Sequence, residues 1–254
     1  MTSITPFYLD RPLNIAHRGA RDSAPENTLA AFEMALAHGA DGIELDVTRC
    51  WSGEIVVLHD DTIDRTTNGS GRVGEMDYDT LLHLDAGGWF SPEFQGERIP
   101  RLADVLDTIG GKLRINIEIK GRSFRSDGVE AEIAEMVRRR GLAATVIISS
   151  FNPWALSRMK RVAPELPVAL LYAPNSPFWQ RRGQARHWLK PQALHPERSL
   201  VDKAYVTWAR RHGYRVNVWT VNEEAEMRKL VELGVDGIIT DRPALLSRIL
   251  GEAR

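Results

Sequence analysis

Glu44 and Asp46 sit two positions apart in the apolar run Gly42-Ile43-Glu44-Leu45-Asp46-Val47. Alternate side chains of a strand share a face, so both acids point the same way. Acids on a buried strand are costly unless compensated, and one divalent cation compensates two at once. A later run, Leu113 to Lys120, carries Glu118 and Lys120 at the same spacing, and an earlier one, Leu13 to Gly19, ends in His17-Arg18-Gly19. Three carboxylates without a Cys or a second His among them favour a hard cation over zinc: Mg²⁺ or Ca²⁺, with Mn²⁺ as a further candidate. The alternative is an internal ion-pair network of Glu44, Asp46 and Glu118 with Lys120 and Arg18.

His17 and His59 are candidates for a general acid and base, because an imidazole titrates near neutrality. The plainer reading makes them structural hydrogen-bonding groups. Arg18 suits two-pronged recognition of a phosphate or carboxylate, or a surface salt bridge. Trp219 shares its parity with Asn217 and offers a ring to stack on a ligand or to cap the core. Trp89 and Phe90 offer an apolar wall over the site. His195, closing a strand before Pro196, is a candidate substrate contact, or a support for one. His38, His83, His187 and His212 lie at helix ends or in loops and read as solvated. The glycines of Asn68-Gly69-Ser70-Gly71 read as turns, and no P-loop or dinucleotide fingerprint occurs.

Positioning these groups requires strands that end together. The pattern predicts strands over Leu13–Gly19, Asp41–Arg49, Leu113–Lys120, Thr145–Ser150, Pro167–Tyr172, Gln192–His195, Arg215–Val221 and Val235–Thr240. Helices alternate with them over Leu29–His38, Leu102–Ile109, Val129–Arg140, Pro153–Val162, Val201–His212, Glu223–Leu233 and Pro243–Leu250. In the first helix Leu29, Phe32 and Leu36 make the buried face, and Asn27-Thr28 supplies the cap. Glu54 to Leu58 follows its predecessor too closely for a parallel crossover and pairs antiparallel. Residues 60–101 are rich in turn residues and are expected to form an insertion with some order of its own; 173–190 reads as irregular. Eight strands alternating with helices point to a single-domain (β/α)8 (TIM) barrel over 1–254, an α/β fold whose catalytic groups gather where strands end.

With 33 basic and 34 acidic residues the formal charge is −1, so no bulk field draws nucleic acid or an anionic membrane. A single cysteine, Cys50, excludes an internal disulfide framework and fits a reducing compartment. No apolar run approaches the ~20 residues of a bilayer span. Met1 to Arg11 shows no signal-peptide pattern, so a cytoplasmic protein is expected.

Several motifs, in this order, resemble the glycerophosphodiester phosphodiesterase family over almost the whole chain. They are His17-Arg18-Gly19, Pro25-Glu26-Asn27-Thr28, Glu44-Leu45-Asp46-Val47, Val57-Leu58-His59-Asp60 and Asp64-Arg65-Thr66-Thr67. Ile99-Pro100-Arg101-Leu102, Asn116-Ile117-Glu118-Ile119-Lys120, Val218-Trp219-Thr220-Val221-Asn222 and Gly237-Ile238-Ile239-Thr240-Asp241-Arg242-Pro243 continue the likeness. The resemblance implies a (β/α)8 barrel with a small insertion after its second strand. It implies Glu44, Asp46 and Glu118 as ligands of Mg²⁺ or Ca²⁺ and His17 with His59 as the acid–base pair. Arg18 and Lys120 would meet the phosphate; Trp219 and Phe90 would border the alcohol groups. Two departures stand out: Trp51-Ser52-Gly53 replaces a polar turn with an Asp, and residues 174–190, with Phe178-Trp179 and Arg181-Arg182, look peculiar to this chain.

The implied reaction is hydrolysis of small glycerophosphodiesters, such as glycerophosphocholine or glycerophosphoethanolamine, to sn-glycerol 3-phosphate and an alcohol. The rivals are a lysophospholipase D-type barrel, a non-catalytic phosphate-binding barrel and a metal-dependent carbon–carbon lyase. The last leaves His17, Arg18 and His59 without a task.

Overall fold

The computed structural model describes residues 5–121, 124–177 and 183–252; the Phe178-Trp179 and Arg181-Arg182 stretch therefore lies outside the described residues. The elements are β1 (Leu13–His17), α1 (Leu29–Ala37), β2 (Gly42–Arg49), β3 (Ile55–Val57), α2 (Tyr78–Leu82), α3 (Leu102–Ile109), β4 (Arg114–Ile119), α4 (Val129–Arg139) and β5 (Val146–Ser150). They continue with α5 (Pro153–Val162), β6 (Val168–Tyr172), α6 (Arg186–Leu189), β7 (Ala193–Pro196), α7 (Lys203–Arg211), β8 (Arg215–Val218), α8 (Glu224–Leu233), β9 (Gly237–Thr240) and α9 (Pro243–Glu252).

The strands run β1-β9-β8-β7-β6-β5-β4-β2, and a parallel β1–β2 pairing closes the ring. The result is an eight-stranded parallel barrel with helices between its strands, as the alternation of elements required. β3 adds to β2 antiparallel, with Val47 opposite Val57. Because helices cover the outside and side chains fill the inside, the strands are buried on both faces and read as nearly unbroken apolar runs. β2 shows the division: Ile43, Leu45 and Val47 join the core beneath the helices, leaving Glu44 and Asp46 to the barrel interior. The interior is apolar at the lower end, where Phe7, Leu13, Ile15, Ile147, Ala169 and Ile239 pack together. The chain before β1 plugs that end: Arg114 Nε donates to the Phe7 carbonyl at 2.7 Å and Asn217 Nδ2 to the Tyr8 hydroxyl at 3.0 Å.

Helix α1 corrects the expected face. Ala31, Phe32 and Ala35 are its buried residues, whereas Leu36 is 40% exposed. The cause is close approach: a Cβ on Gly19 would stand 2.6 Å from that of Ala31, so the contact requires small residues rather than leucines. Gly19 also has φ +88°, a backbone state that glycine adopts without cost. The Thr28 hydroxyl caps α1, accepting from Ala31 N at 3.2 Å.

The segment between β3 and α3, expected as an insertion, packs around Leu58, Ile63, Val73, Tyr78, Leu81 and Ile99, with α2 inside it. The Trp51-Ser52-Gly53 turn is tied to it through Tyr78 N donating to Ser52 Oγ at 2.8 Å. Within 173–190, expected as irregular, the one-turn helix α6 forms among the described residues. No helix among the described residues is long and apolar enough to cross a membrane.

Candidate active site

Glu44, Asp46 and Glu118 come together at the carboxyl ends of β2 and β4, where Asp46 and Glu118 are register partners. One oxygen from each lies within 4.8 Å of the others, and all three residues are buried. Lys120 Nζ reaches Glu118 Oε1 at 3.0 Å and Asp46 Oδ1 at 3.3 Å. Arg18 Nε reaches Asp46 Oδ2 at 3.2 Å, and Asn27 Nδ2 donates to the same oxygen at 3.0 Å. Glu44 accepts the Arg18 backbone N–H at 3.1 Å. The ion-pair network weighed as the alternative thus exists, around the same acids.

That network leaves negative charge over. Burial, with Asp46 and Glu118 as like-charged neighbours, pushes the Glu44 carboxyl well above its ordinary range. Burial likewise raises Glu118 to about 7, against the pull of Lys120. Asp46 is held below its ordinary value despite burial, because Lys120 and Arg18 both face it. Lys120 in turn is raised: its acidic neighbours outweigh its own desolvation. Three oxygen donors held close together, two of them unfavourably charged, suit a hard divalent cation on donor chemistry alone.

The two histidines share one arrangement. His17 Nδ1 lies 2.7 Å from Asp241 Oδ1, across the β1–β9 seam. His59 Nδ1 lies 2.6 Å from Asp60 Oδ1. A carboxylate at Nδ1 holds the proton there when the ring is neutral and leaves Nε2 as the acceptor. Burial, with Arg18 and Lys120 nearby, holds His59 below the ordinary imidazole range, against the opposing pull of Asp46. Leu58 N donates to the Asp46 carbonyl at 3.0 Å, which seats His59 beside the acids.

Glu26 stands behind the acids. Arg18 Nη1 donates to it at 2.8 Å, Arg21 Nε at 2.9 Å, and Arg65 with both terminal nitrogens at 2.7 and 2.9 Å. Two residues here adopt positive φ without being glycine, Arg18 at 57° and Asn27 at 60°. Such strain persists only where the surroundings impose it, and it gathers at functional sites.

Trp219 is partly buried, edge-on to Phe151 with ring centroids 5.4 Å apart, and its Nε1 donates to the His195 carbonyl at 2.7 Å. Phe90 packs edge-on to Trp89 and Phe94, within the segment after β3. His195 requires a correction as a substrate contact. Its side chain is wholly buried in the barrel, its Nε2 accepts from Asn217 Nδ2 at 2.8 Å, and burial lowers its pKa to about 3. It sits a layer below the open face and serves by fixing Trp219 through its backbone. The sequence pattern assigns no role at the site to Asp60, Asp241, Glu26 or Arg65, and gives Asn27 one only in capping α1. The signal for the first two was present, since one adjoins His59 and the other ends an inward-facing strand.

Fold and site define a (β/α)8-barrel phosphodiesterase. A family model described as the glycerophosphoryl diester phosphodiesterase family matches residues 17–245. A glycerophosphodiester phosphodiesterase of Caldanaerobacter subterraneus subsp. tengcongensis is 39% identical over 246 residues, covering 94% of this chain and 98% of the relative. The crystal structure of a glycerophosphodiester phosphodiesterase from Agrobacterium tumefaciens has a TM-score of 0.81 at 32% identity, covering 92% of this chain and 98% of that one. An Oleispira antarctica phosphodiesterase, solved in complex with its product sn-glycerol-3-phosphate, has a TM-score of 0.84 at 32% identity, covering 98% and 99%. The chain belongs to the glycerophosphodiester phosphodiesterase family.

Proposed function

We propose that the chain hydrolyses glycerophosphodiesters, glycerophosphocholine and glycerophosphoethanolamine among them, to sn-glycerol 3-phosphate and an alcohol. One observation carries the reading: two imidazoles, each held at Nδ1 by a carboxylate, adjoin a buried acidic centre that also holds Arg18 and Lys120. A phosphodiester is an anion that resists nucleophiles, and its oxygens gain charge as the transition state forms. Glu44, Asp46 and Glu118 would hold Mg²⁺, Ca²⁺ or Mn²⁺, which when bound supplies positive charge beside those oxygens. Arg18 and Lys120, released in part from the acids, then donate to the phosphoryl oxygens. One of His17 and His59 accepts at Nε2 the proton of the attacking oxygen, either water or the glycerol 2-hydroxyl with water then opening the cyclic phosphate. The other, protonated, gives a proton to the departing alkoxide. Trp219 and Phe90 are assigned to the alcohol groups. The product held by the Oleispira antarctica phosphodiesterase supports this choice of substrate.

A second reading, lysophospholipids, is favoured by one observation. Phe124, in the loop after β4, is 77% exposed and meets Trp154, which stacks at 5.0 Å on Trp188. An exposed aromatic run of this kind suits an acyl chain. Release of sn-glycerol 3-phosphate from a panel of glycerophosphodiesters, and of choline from lysophosphatidylcholine, with each cation or a chelator added, tests both. No turnover of any glycerophosphodiester under any cation overturns the proposal.

A further inference from the structure

Glu26 is buried behind the acidic centre, and contact chains lead from it to both histidines. Toward His59, Arg65 takes Glu26 with its two terminal nitrogens at 2.7 and 2.9 Å and Asp60 Oδ2 with Nε at 2.7 Å, and Asp60 Oδ1 holds His59 Nδ1 at 2.6 Å. Toward His17, Arg21 donates from Nε to Glu26 at 2.9 Å and pairs from Nη1 with Asp241 Oδ2 at 3.6 Å, and Asp241 Oδ1 holds His17 Nδ1 at 2.7 Å. Arg18 bonds Glu26 at 2.8 Å and turns its Nε to Asp46. We propose that Glu26 is a positioning residue that joins the two histidine–carboxylate pairs and the acidic centre into one frame through three arginines.

The physical case rests on directionality. A guanidinium is a rigid planar fork, so fixing two of its nitrogens fixes the direction of the third. Arg65, although 43% exposed, is anchored on Glu26, which is 2% exposed, and so Asp60 is aimed from a buried point rather than from solvent. Glu26 also offers only two oxygens to four guanidinium nitrogens, so each arginine limits where the others can go. Glu26 remains an anion to well below the ordinary carboxylate range, because the Arg65 hydrogen bonds and the Arg18 charge outweigh its burial. One carboxylate does not neutralise three cations, which face Asp46, Asp241 and Asp60 as well; the arrangement adds a geometric demand that charge alone does not make.

The inference rests on the acid–base reading of His17 and His59, and the test separates the two. Wild type, Glu26→Gln, Arg65→Gln, Arg65→Lys and His59→Ala are compared with glycerophosphocholine and Mg²⁺ by kcat, KM and thermal unfolding. The hydrogen-bonded Nδ1–H proton signals of both histidines are read by NMR. A displacement of about 1 Å in a catalytic group costs up to about 10²-fold, so Glu26→Gln and Arg65→Gln are expected to lose roughly 10- to 10²-fold in kcat with a much smaller change in KM. Arg65→Lys keeps the charge but one amine cannot take both Glu26 and Asp60, and it is expected to fall as far as Arg65→Gln. The Nδ1–H signal of His59 should shift in both Arg65 variants, and those of both histidines in Glu26→Gln. If Arg65→Lys retains wild-type kcat, or Glu26→Gln folds with kcat within about threefold and unmoved signals, the inference is overturned. Should Glu26→Gln fail to fold, the two Arg65 variants decide, since that side chain is half exposed. A fully active His59→Ala overturns the acid–base reading itself; an inactive one beside active Arg65 variants overturns only the frame.

Discussion

His17 and Asp241 come from opposite ends of the chain and meet, 2.7 Å apart, at the seam where the first and last barrel strands pair. The second oxygen of Asp241 accepts Asn222 Nδ2 at 2.7 Å, so the carboxylate is held on both sides. His17, with Asn222, keeps that carboxyl ionised to below its usual range even though burial opposes it. In Asp241→Asn the amide oxygen must turn toward the Asn222 donor, which points the amide N–H at Nδ1 of His17. The ring is then driven to the other tautomer, with its proton on Nε2. The expected result is a folded protein whose kcat falls toward the ~10²–10⁴-fold range of a lost general acid or base. Steady-state kinetics beside thermal unfolding check it, and an unchanged kcat contradicts the assignment of His17.

Glu44 should trade stability against activity. It is buried beside two other acids, and the backbone N–H of Arg18 is its hydrogen-bond donor. Glu44→Gln keeps an oxygen for that donor and removes the repulsion. Without cation, the variant is expected to be more stable by about 1 kcal/mol, or roughly 2–4 °C in Tm for a chain of this size. Added Mg²⁺ or Ca²⁺ should raise the Tm of the wild type, by about 2.7 kcal/mol of stabilisation at a hundred times Kd. It should leave Glu44→Gln nearly unmoved, and activity should be lost. Thermal unfolding with and without chelator measures the three stability effects and steady-state kinetics the loss of activity; a variant less stable than wild type in chelator would contradict the account.

The barrel and its acidic centre were legible because they depend on local regularities. Strand parity aligned Glu44 with Asp46 and Glu118 with Lys120, and alternation of strands with helices implied closure. What failed to show depends on quantities that spacing does not contain. Asp241 reaches His17 only because the ring closes between β1 and β9. Glu26 gathers arginines from three places on the chain, and nothing in the Pro25-Glu26-Asn27-Thr28 motif says which. The depth of His195 follows from a neighbouring strand: it looks like the end of a strand but is wholly buried against Asn217 of β8. The apolar face of α1 was misread because the helix sits so close to Gly19 that alanines, not leucines, fill the contact.

His195 should make the fold acid-sensitive in a definable window. It is neutral in the folded chain down to about pH 3, because burial excludes its charge, whereas the unfolded chain protonates near pH 6.5. Its contribution is therefore complete above pH 6.5 and is lost as the pH falls from there toward 3. Over that window the slope from this one group is at most about 1.4 kcal/mol per pH unit. His195→Gln keeps an acceptor for Asn217 and does not titrate. The stability of wild type relative to the variant should fall as the pH is lowered from about 6.5 to about 4.5, whatever the sign of the offset at neutral pH. Parallel curves in denaturant titrations would rule out a neutral buried imidazole.

Asn27 separates backbone strain from side-chain chemistry. Its φ of 60° is a left-handed state, its N–H donates to the Arg18 carbonyl at 2.9 Å, and its amide donates to Asp46 at 3.0 Å. Asn27→Gly accepts the backbone state freely and loses only the bond to Asp46. Asn27→Ala loses the same bond and also meets a left-handed penalty of roughly 1–2 kcal/mol. That penalty is offset in part by the greater entropy that glycine gives the unfolded chain, about 0.5–1 kcal/mol. The alanine variant is therefore expected to be the less stable by up to about 1.5 kcal/mol, while both lose activity to a similar degree because Asp46 loses the same donor. If thermal unfolding finds alanine equal to glycine or better, the turn relaxes without cost and the strain at Asn27 holds nothing in place. If instead only alanine loses activity, the backbone state, and with it the placement of Arg18 across the hydrogen bond from Asn27, matters more to the site than the amide does.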